Sequence, residues 1–397
     1  MKLILIVFSF LILYGSTLDD IKKAVKNNPK LLSIKKLIEA KHYEALLVAK
    51  FDNPNLNIII NDISLENPFS RDIEAMQSQG ISLSQKIPTA KKLHLLKKRE
   101  IFYKESIIYE YEYFFRKLYL EAKIAALKIA SIENKIKILK KYKKLSNYAK
   151  RLMDLYSQSS NFTHTAIIKS EILESTIELK ITKLKNLKKN YIKKLSQVIA
   201  KDINNIKIDL NIIEAKDLYK IDKRLLDHPK LKILKKIIDA KKEHIKYLKA
   251  QKIPDLKIKA TYLNRENRYD YINLSFSFDL PIYNREEKSI LIGLKELSSL
   301  NKKYENELLE LKYGLENSLI DVEDAYKRYK IVEKILKDDL AHKLEVVLEN
   351  LTVNTSTIES AIEILEKSLE FELQKIDILF DSNKAYSEVL YYLGDKL

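Results

Sequence analysis

Six of the seven prolines in this 397-residue chain fall into three pairs at two fixed offsets. Pro29 and Pro229, like Pro54 and Pro254, stand 200 residues apart, and Pro88 and Pro281 stand 193 apart. The segment NPKLLSIKKLIEAK at 28–41 returns as HPKLKILKKIIDAK at 228–241, and eleven of the thirty-one positions from 28 to 58 are identical across that offset. A shared Lys/Ile-rich composition does not bring rare prolines into register, so the chain reads as an internal duplication. Residues 17–200 form the first copy, 201–217 a linker and 218–397 the second copy. The unpaired Pro68 lies where the first copy is seven residues longer, which marks a loop.

Each copy has the same grammar. Pro29 or Pro229 opens a helix at a position where its missing N–H costs nothing. That helix stops before Pro54 or Pro254, because a residue preceding proline is pushed out of the helical region. Two strand-like runs follow, about 56–87 in the first copy and 256–280 in the second, each pair joined by a polar loop. The clearest run is YINLSFSFDLPIYN, residues 271–284. Here Ile272, Leu274, Phe276, Phe278 and Leu280 alternate strictly with Asn273, Ser275, Ser277 and Asp279.

A very long helix follows each hairpin, about 90–156 and 285–348, with apolar positions such as Ile129, Ile132, Ile136 and Leu139, or Leu308, Leu311, Leu315 and Leu319, in steps of three and four. Only five glycines interrupt the chain. Breaks rich in Ser, Thr and Asn come at 157–163 and 349–357, and shorter helices, about 163–200 and 357–393, close the copies. The helices before the hairpin and after the break together match the length of the long one. Two short helices placed end to end therefore suit one long antiparallel partner.

The amino terminus carries Lys2, an apolar run at 3–14 and then Gly15, Ser16 and Thr17. This pattern describes a secretory signal peptide at 1–16, and the run is short for a membrane-spanning anchor. The absence of Cys excludes disulfides, thiolate metal sites and an amino-terminal lipid on Cys. The net charge of +17 raises a nucleic-acid reading, but Lys is spread along every helix among 55 acidic residues and no basic block or recognition motif accompanies it. No nucleic-acid partner is expected.

No glycine-rich phosphate loop and no nucleophile–base arrangement occurs. The six histidines, at 42, 94, 164, 228, 244 and 342, lack metal-ligand spacing and are read as helix-surface residues. The expectation is a protein that is not an enzyme and carries no cofactor, metal or catalytic residue.

Four strands from an exported helical chain need partners for their edges. One solution pools the strands of several copies into a closed membrane barrel, apolar outside and polar inside. Three copies would give twelve strands. On that reading Ile272, Leu274, Phe276, Phe278 and Leu280 face lipid, and Asn273, Ser275, Ser277 and Asp279 face the lumen. A soluble sheet with its apolar side on a helical core explains the same alternation.

The motifs NPKL and HPKL, Pro54-Asn55-Leu56 and Pro254-Asp255-Leu256, and SLSQKIPTAKK and SFDLPIYNREEKS, in this order, resemble the TolC-like outer membrane efflux protein family. The resemblance covers nearly all of the chain after the leader. It implies a mainly α fold with a small β part: duplicated antiparallel helical hairpins in a periplasmic α-barrel, and two β-hairpins contributing four strands to a trimeric twelve-stranded outer membrane barrel. It further implies passive exit of substrates from a tripartite efflux pump or type I secretion system, with a periplasmic adaptor and an inner-membrane transporter as partners. Relatives of this kind place acidic side chains after the second break, where Glu359 and Glu363 lie one turn apart here. They are the candidate periplasmic gate, and two solvated glutamates in a helix's first turns are the plain alternative. The glycine common at this break has no counterpart, Ser160 and Val353 standing nearest. A periplasmic helical adaptor or scaffold is the competing function.

Overall fold

The computed structural model describes residues 17–156, 164–203, 206–214, 224–340 and 358–393. The leader at 1–16 and the breaks at 157–163 and 349–357 lie outside the described residues. The elements run α1 (Leu18–Val25), α2 (Pro29–Leu47), β1 (Asn55–Asn61), β2 (Ser78–Ile87), α3 (Lys92–Tyr156) and α4 (His164–Ile199), then α5 (Pro229–Ala250), β3 (Leu256–Asn264), β4 (Tyr271–Ser277), α6 (Arg285–Lys334) and α7 (Ile358–Tyr392). Helix, hairpin, long helix and closing helix thus occur twice in the same order. The chain divides into two compact units.

The first unit joins residues 1–33, 112–228 and 308–397. Its helices are held by an apolar seam in which Leu139 and Tyr142 of α3, Leu173, Ile177 and Ile181 of α4, and Ile362, Leu365 and Leu369 of α7 are buried together. Ion pairs fix the direction of packing: Lys143 meets Glu174 and Glu178, Lys150 meets Glu171, and Lys188 meets Glu133. Rising numbers on α3 meet falling numbers on α4, so the two form an antiparallel hairpin. These bridges are partly exposed and set register more than stability. Burial, and then the Glu372 carboxylate that its hydroxyl meets, raise the Tyr142 phenol well above its ordinary value.

Helix α1 starts with a capping box. The Thr17 hydroxyl accepts the Asp20 amide, and the Asp20 carboxylate accepts the Thr17 N–H, which holds that carboxyl below its usual range. His228 departs from the surface reading: it is fully buried, edge-on to Tyr113 and Tyr391. The turn at Arg224–Asp227 carries it inward, just ahead of the proline that opens α5.

The second unit joins residues 34–111 and 229–307. It contains one four-stranded sheet in the order β1-β2-β3-β4, antiparallel throughout. The central ladder, β2 on β3, joins the two copies. Gly80 sits in it opposite Leu263, where a Cβ would lie 1.9 Å from the Tyr262 carbonyl oxygen. Only glycine allows that approach. A Gly80→Ala substitution must push the two central strands apart, and we expect a cost of at least about 3 kcal/mol, measured as loss of folded protein in urea melts followed by circular dichroism.

Candidate functional site

Register decides which side chains share a face, because directly opposed residues point the same way. One row runs Ile58, Ile81, Tyr262, Ile272, and the next Leu56, Leu83, Ala260, Leu274. On the other face the row Asn57, Ser82, Thr261, Asn273 is followed by Asn55, Ser84, Lys259, Ser275. Along these rows the four strands agree on one apolar and one polar side, and a further row on the polar side, Ile59, Gly80, Leu263 and Tyr271, is largely apolar.

In the two central strands exposure is the reverse of that in a soluble sheet, while both sides of the edge strands β1 and β4 are largely exposed. Ile58 is 81% exposed and Leu274 66%, whereas Ser82 is 1% and Thr261 7% exposed. Asn57 and Asn61 donate across to the Ser82 and Ser78 hydroxyls on the sheltered polar side. The helical-core alternative, which needs the apolar side covered, is contradicted. A contiguous apolar patch of this kind on a sheet marks contact with another apolar phase.

Strand β4 is shorter than the alternation. It ends at Ser277, and Phe278, Asp279 and Leu280 lie beyond it, exposed. The cause is on the partner strand: β3 begins only at Leu256, because Pro254 has no N–H to give and Asp255 is turned to other bonds. Of the residues read as lipid-facing, Ile272, Leu274 and Phe276 are in the strand on the apolar side. Of those read as lumen-facing, Asn273, Ser275 and Ser277 are on the polar side.

Those other bonds of Asp255 form the corner where strand gives way to helix. The Lys92 ammonium donates to the Ile253 carbonyl at 2.6 Å and to the Asp255 carboxylate at 2.5 Å. The Thr89 N–H donates to the same carboxylate, the Thr89 hydroxyl to the Pro254 carbonyl, and Lys86 approaches to 3.2 Å. Ala90 and Lys91 take left-handed backbone angles to make the turn. Burial works against the Asp255 charge, but Lys92, the Thr89 amide and Lys86 outweigh it and hold the carboxyl below its ordinary value of 3.8. Lys92 is buried, so it is the partner on which this corner rests. Neither copy alone contains the corner, and spacing along the chain gave no sign of it.

At the candidate gate, Glu363 is exposed and pairs with Lys169 of α4 at 3.3 Å. Glu359 lies in the first turn of α7, and its side chain is outside the described residues. Among the described residues, no group of His, Asp and Glu is placed to hold a metal ion. No described helix is long and apolar enough to cross a membrane.

A twice-repeated order of helix, hairpin, long helix and closing helix, with one four-stranded antiparallel sheet, is the fold of solved outer membrane channels. Solved structures share the architecture closely. The CmeC outer membrane channel of Campylobacter jejuni superposes with a TM-score of 0.77 at 15% identity, over 95% of this chain and 85% of that one. The outer membrane protein VceC of Vibrio cholerae gives 0.79 at 10% identity, over 95% and 96% of the two chains. The open-state MtrE outer membrane channel of Neisseria gonorrhoeae gives 0.79 at 12% identity, over 95% and 89%. No protein-family model matches the sequence, and no curated protein sequence matches it. What is shared at these identities is the fold.

The corner makes two predictions. Lys92→Met should cost about 2–4 kcal/mol, since it leaves a partly buried carboxylate and the Ile253 carbonyl short of a donor, whereas Lys86→Met, half exposed, should cost under about 1 kcal/mol; thermal melts of detergent-purified protein measure both. The lowered Asp255 pKa means its contribution is complete above the ordinary carboxylate value and is lost as pH falls through the folded one. Acid loosening below about pH 4 should therefore be weaker in Asp255→Asn.

Proposed function

We propose that three copies of this chain form an outer membrane channel that passively conducts substrates out of the periplasm. The observation that supports this best is the inverted sheet: an exposed apolar side, a sheltered polar side and two open edges. A bilayer covers the first, a wet lumen suits the second, and closure with neighbouring copies satisfies the third. Four strands are too few to surround water; twelve are enough. The helices then form the periplasmic duct, with its far end meeting an adaptor protein and an inner-membrane transporter that supply the energy. The chain itself performs no reaction. A periplasmic adaptor or scaffold has no use for a large lipid-like face, and that disfavours the alternative.

Fractionation tests the reading: a detergent-dependent trimer with heat-modifiable migration in outer membrane fractions is expected, and a soluble monomer overturns it. Charge substitutions test the two faces. Phe276→Arg should cost about 2–4 kcal/mol if placed near the bilayer middle, whereas Ser277→Arg should leave assembly intact and alter single-channel conductance. Equal effects on assembly would count against the barrel.

Glu359 and Glu363 are proposed as acidic groups at the periplasmic end. The Lys169 partner tempers the charge of Glu363, so Lys169→Ala should raise cation selectivity in planar bilayers and the paired change Glu359→Gln with Glu363→Gln should lower it. Unchanged selectivity in both variants removes the gate assignment.

A further inference from the structure

We infer that the sheet of this chain joins a second copy by one defined register, in which β4 is lengthened by Phe278, Asp279 and Leu280 and pairs with β1 so that Ser277 stands opposite Ile59 of the second copy. The inference rests on the trimeric-channel reading and specifies how its seams close.

The duplication supplies the template. Within one chain, β2 of the first copy pairs with β3 of the second, ending at Ile87 opposite Leu256, one residue short of Pro88. Strand β4 is the counterpart of β2 through Pro281, and β1 is the counterpart of β3 through Pro54. Transferring the β2–β3 ladder through those prolines puts Leu280 opposite Leu56, Phe278 opposite Ile58, Phe276 opposite Ile60 and Ser275 opposite Asn61. The seam then ends at Leu280, again one residue short of a proline.

Three observations converge on this register. First, it continues both faces: Leu280, Phe278 and Phe276 meet Leu56, Ile58 and Ile60, while Asp279 meets Asn57. A slip of one residue would set these side chains against the other face of β1, where Asn55, Asn57 and Asn61 flank Ile59. Second, it accounts for residues 278–280, which keep the strand alternation yet have no ladder in the single chain. Their missing partner is β1 of the neighbour, since β3 stops at Leu256.

Third, the geometry closes. From Asn55 the hydrogen-bonded neighbours run through Ser84, Lys259 and Ser275 to Asn61 of the second copy, an advance of six residues for each protomer. Six residues are about 20 Å along a strand and four strands about 19 Å across, which gives a tilt of about 45°, at the upper end of that found in membrane barrels. An advance of eight residues would need a tilt beyond about 50° and one of four about 35° on the same geometry, so the tilt excludes the longer slip and the proline template selects six over four.

The chain has no native cysteine, which makes the test direct. Directly opposed residues in an antiparallel pair have Cα atoms about 4.5–5.5 Å apart, within disulfide reach, whereas neighbours two residues off are about 7–8 Å apart and outside it. Full-length Ser277→Cys/Ile59→Cys would be expressed in an outer membrane, oxidised, and compared with Ser277→Cys/Asn57→Cys and Ser277→Cys/Asn61→Cys. Ser275→Cys/Asn61→Cys gives a second reading of the same register if the first pair folds poorly, and each single-cysteine variant is checked for a heat-modifiable trimer.

Reducible covalent dimers and trimers from the first and fourth pairs, at least fivefold over the two offset pairs, are expected. Crosslinking mainly through Asn57 or Asn61 with Ser277 overturns the register while leaving the trimeric channel standing. No crosslink in any pair, together with monomeric migration of the single-cysteine variants, overturns the channel reading and the register with it.

Discussion

Every backbone N–H and C=O in a membrane-exposed strand must find a partner in a neighbouring strand, because lipid offers none. On the channel reading proposed above, the rest of this chain is arranged around that constraint. Two hairpins supply four strands, one sheet unites them across the duplication, and the apolar side chains stay outward while Ser, Thr and Asn turn to the sheltered side. Gly80 is the tightest expression of the same demand: the central strands come so close that the Tyr262 carbonyl occupies the space where a Cβ would be.

Where the strands end, a different problem arises. A chain leaving a sheet must stop donating to the ladder and begin a helix within a few residues. Proline ends the donation, Ala90 and Lys91 turn the backbone, and ahead of the opposite strand the buried Lys92 ammonium takes up the Ile253 carbonyl and the Thr89 hydroxyl the Pro254 carbonyl. Asp255 keeps that ammonium charged and in place. The corner thus fastens the start of α3 to the end of α5 with charge-assisted bonds, where an apolar plug would be expected in a soluble domain.

Much of this was legible in the residues. Alternation in 271–277, the paired prolines and the long three-and-four spacing of α3 and α6 are local patterns, and local patterns fix element type. What could not be read was pairing between distant segments. The β2–β3 register, the burial of His228 between Tyr113 and Tyr391, and the Lys92 corner all depend on residues more than a hundred positions apart. The end of β4 was misplaced for the same reason: its own sequence continues to alternate, and the limit is set by Pro254 on another strand. At the candidate gate, Glu363 was visible as a helix-turn neighbour of Glu359, but Lys169 was not, since it enters from α4. The short helix α1 was the one local omission; Thr17 and Asp20 spell its capping box.

The central ladder also sets a clock. Strand β2 cannot meet β3 until α3, α4 and α5 have been made, and at ordinary rates of synthesis some 170 residues take roughly 10–40 s. During that interval the first hairpin is a two-stranded unit, marginal by itself, with Leu56, Ile58, Ile81 and Leu83 uncovered. Its open edge is a template for any passing strand. In a chain built by duplication in this way the first hairpin waits for the second before its inner strand is paired on both sides.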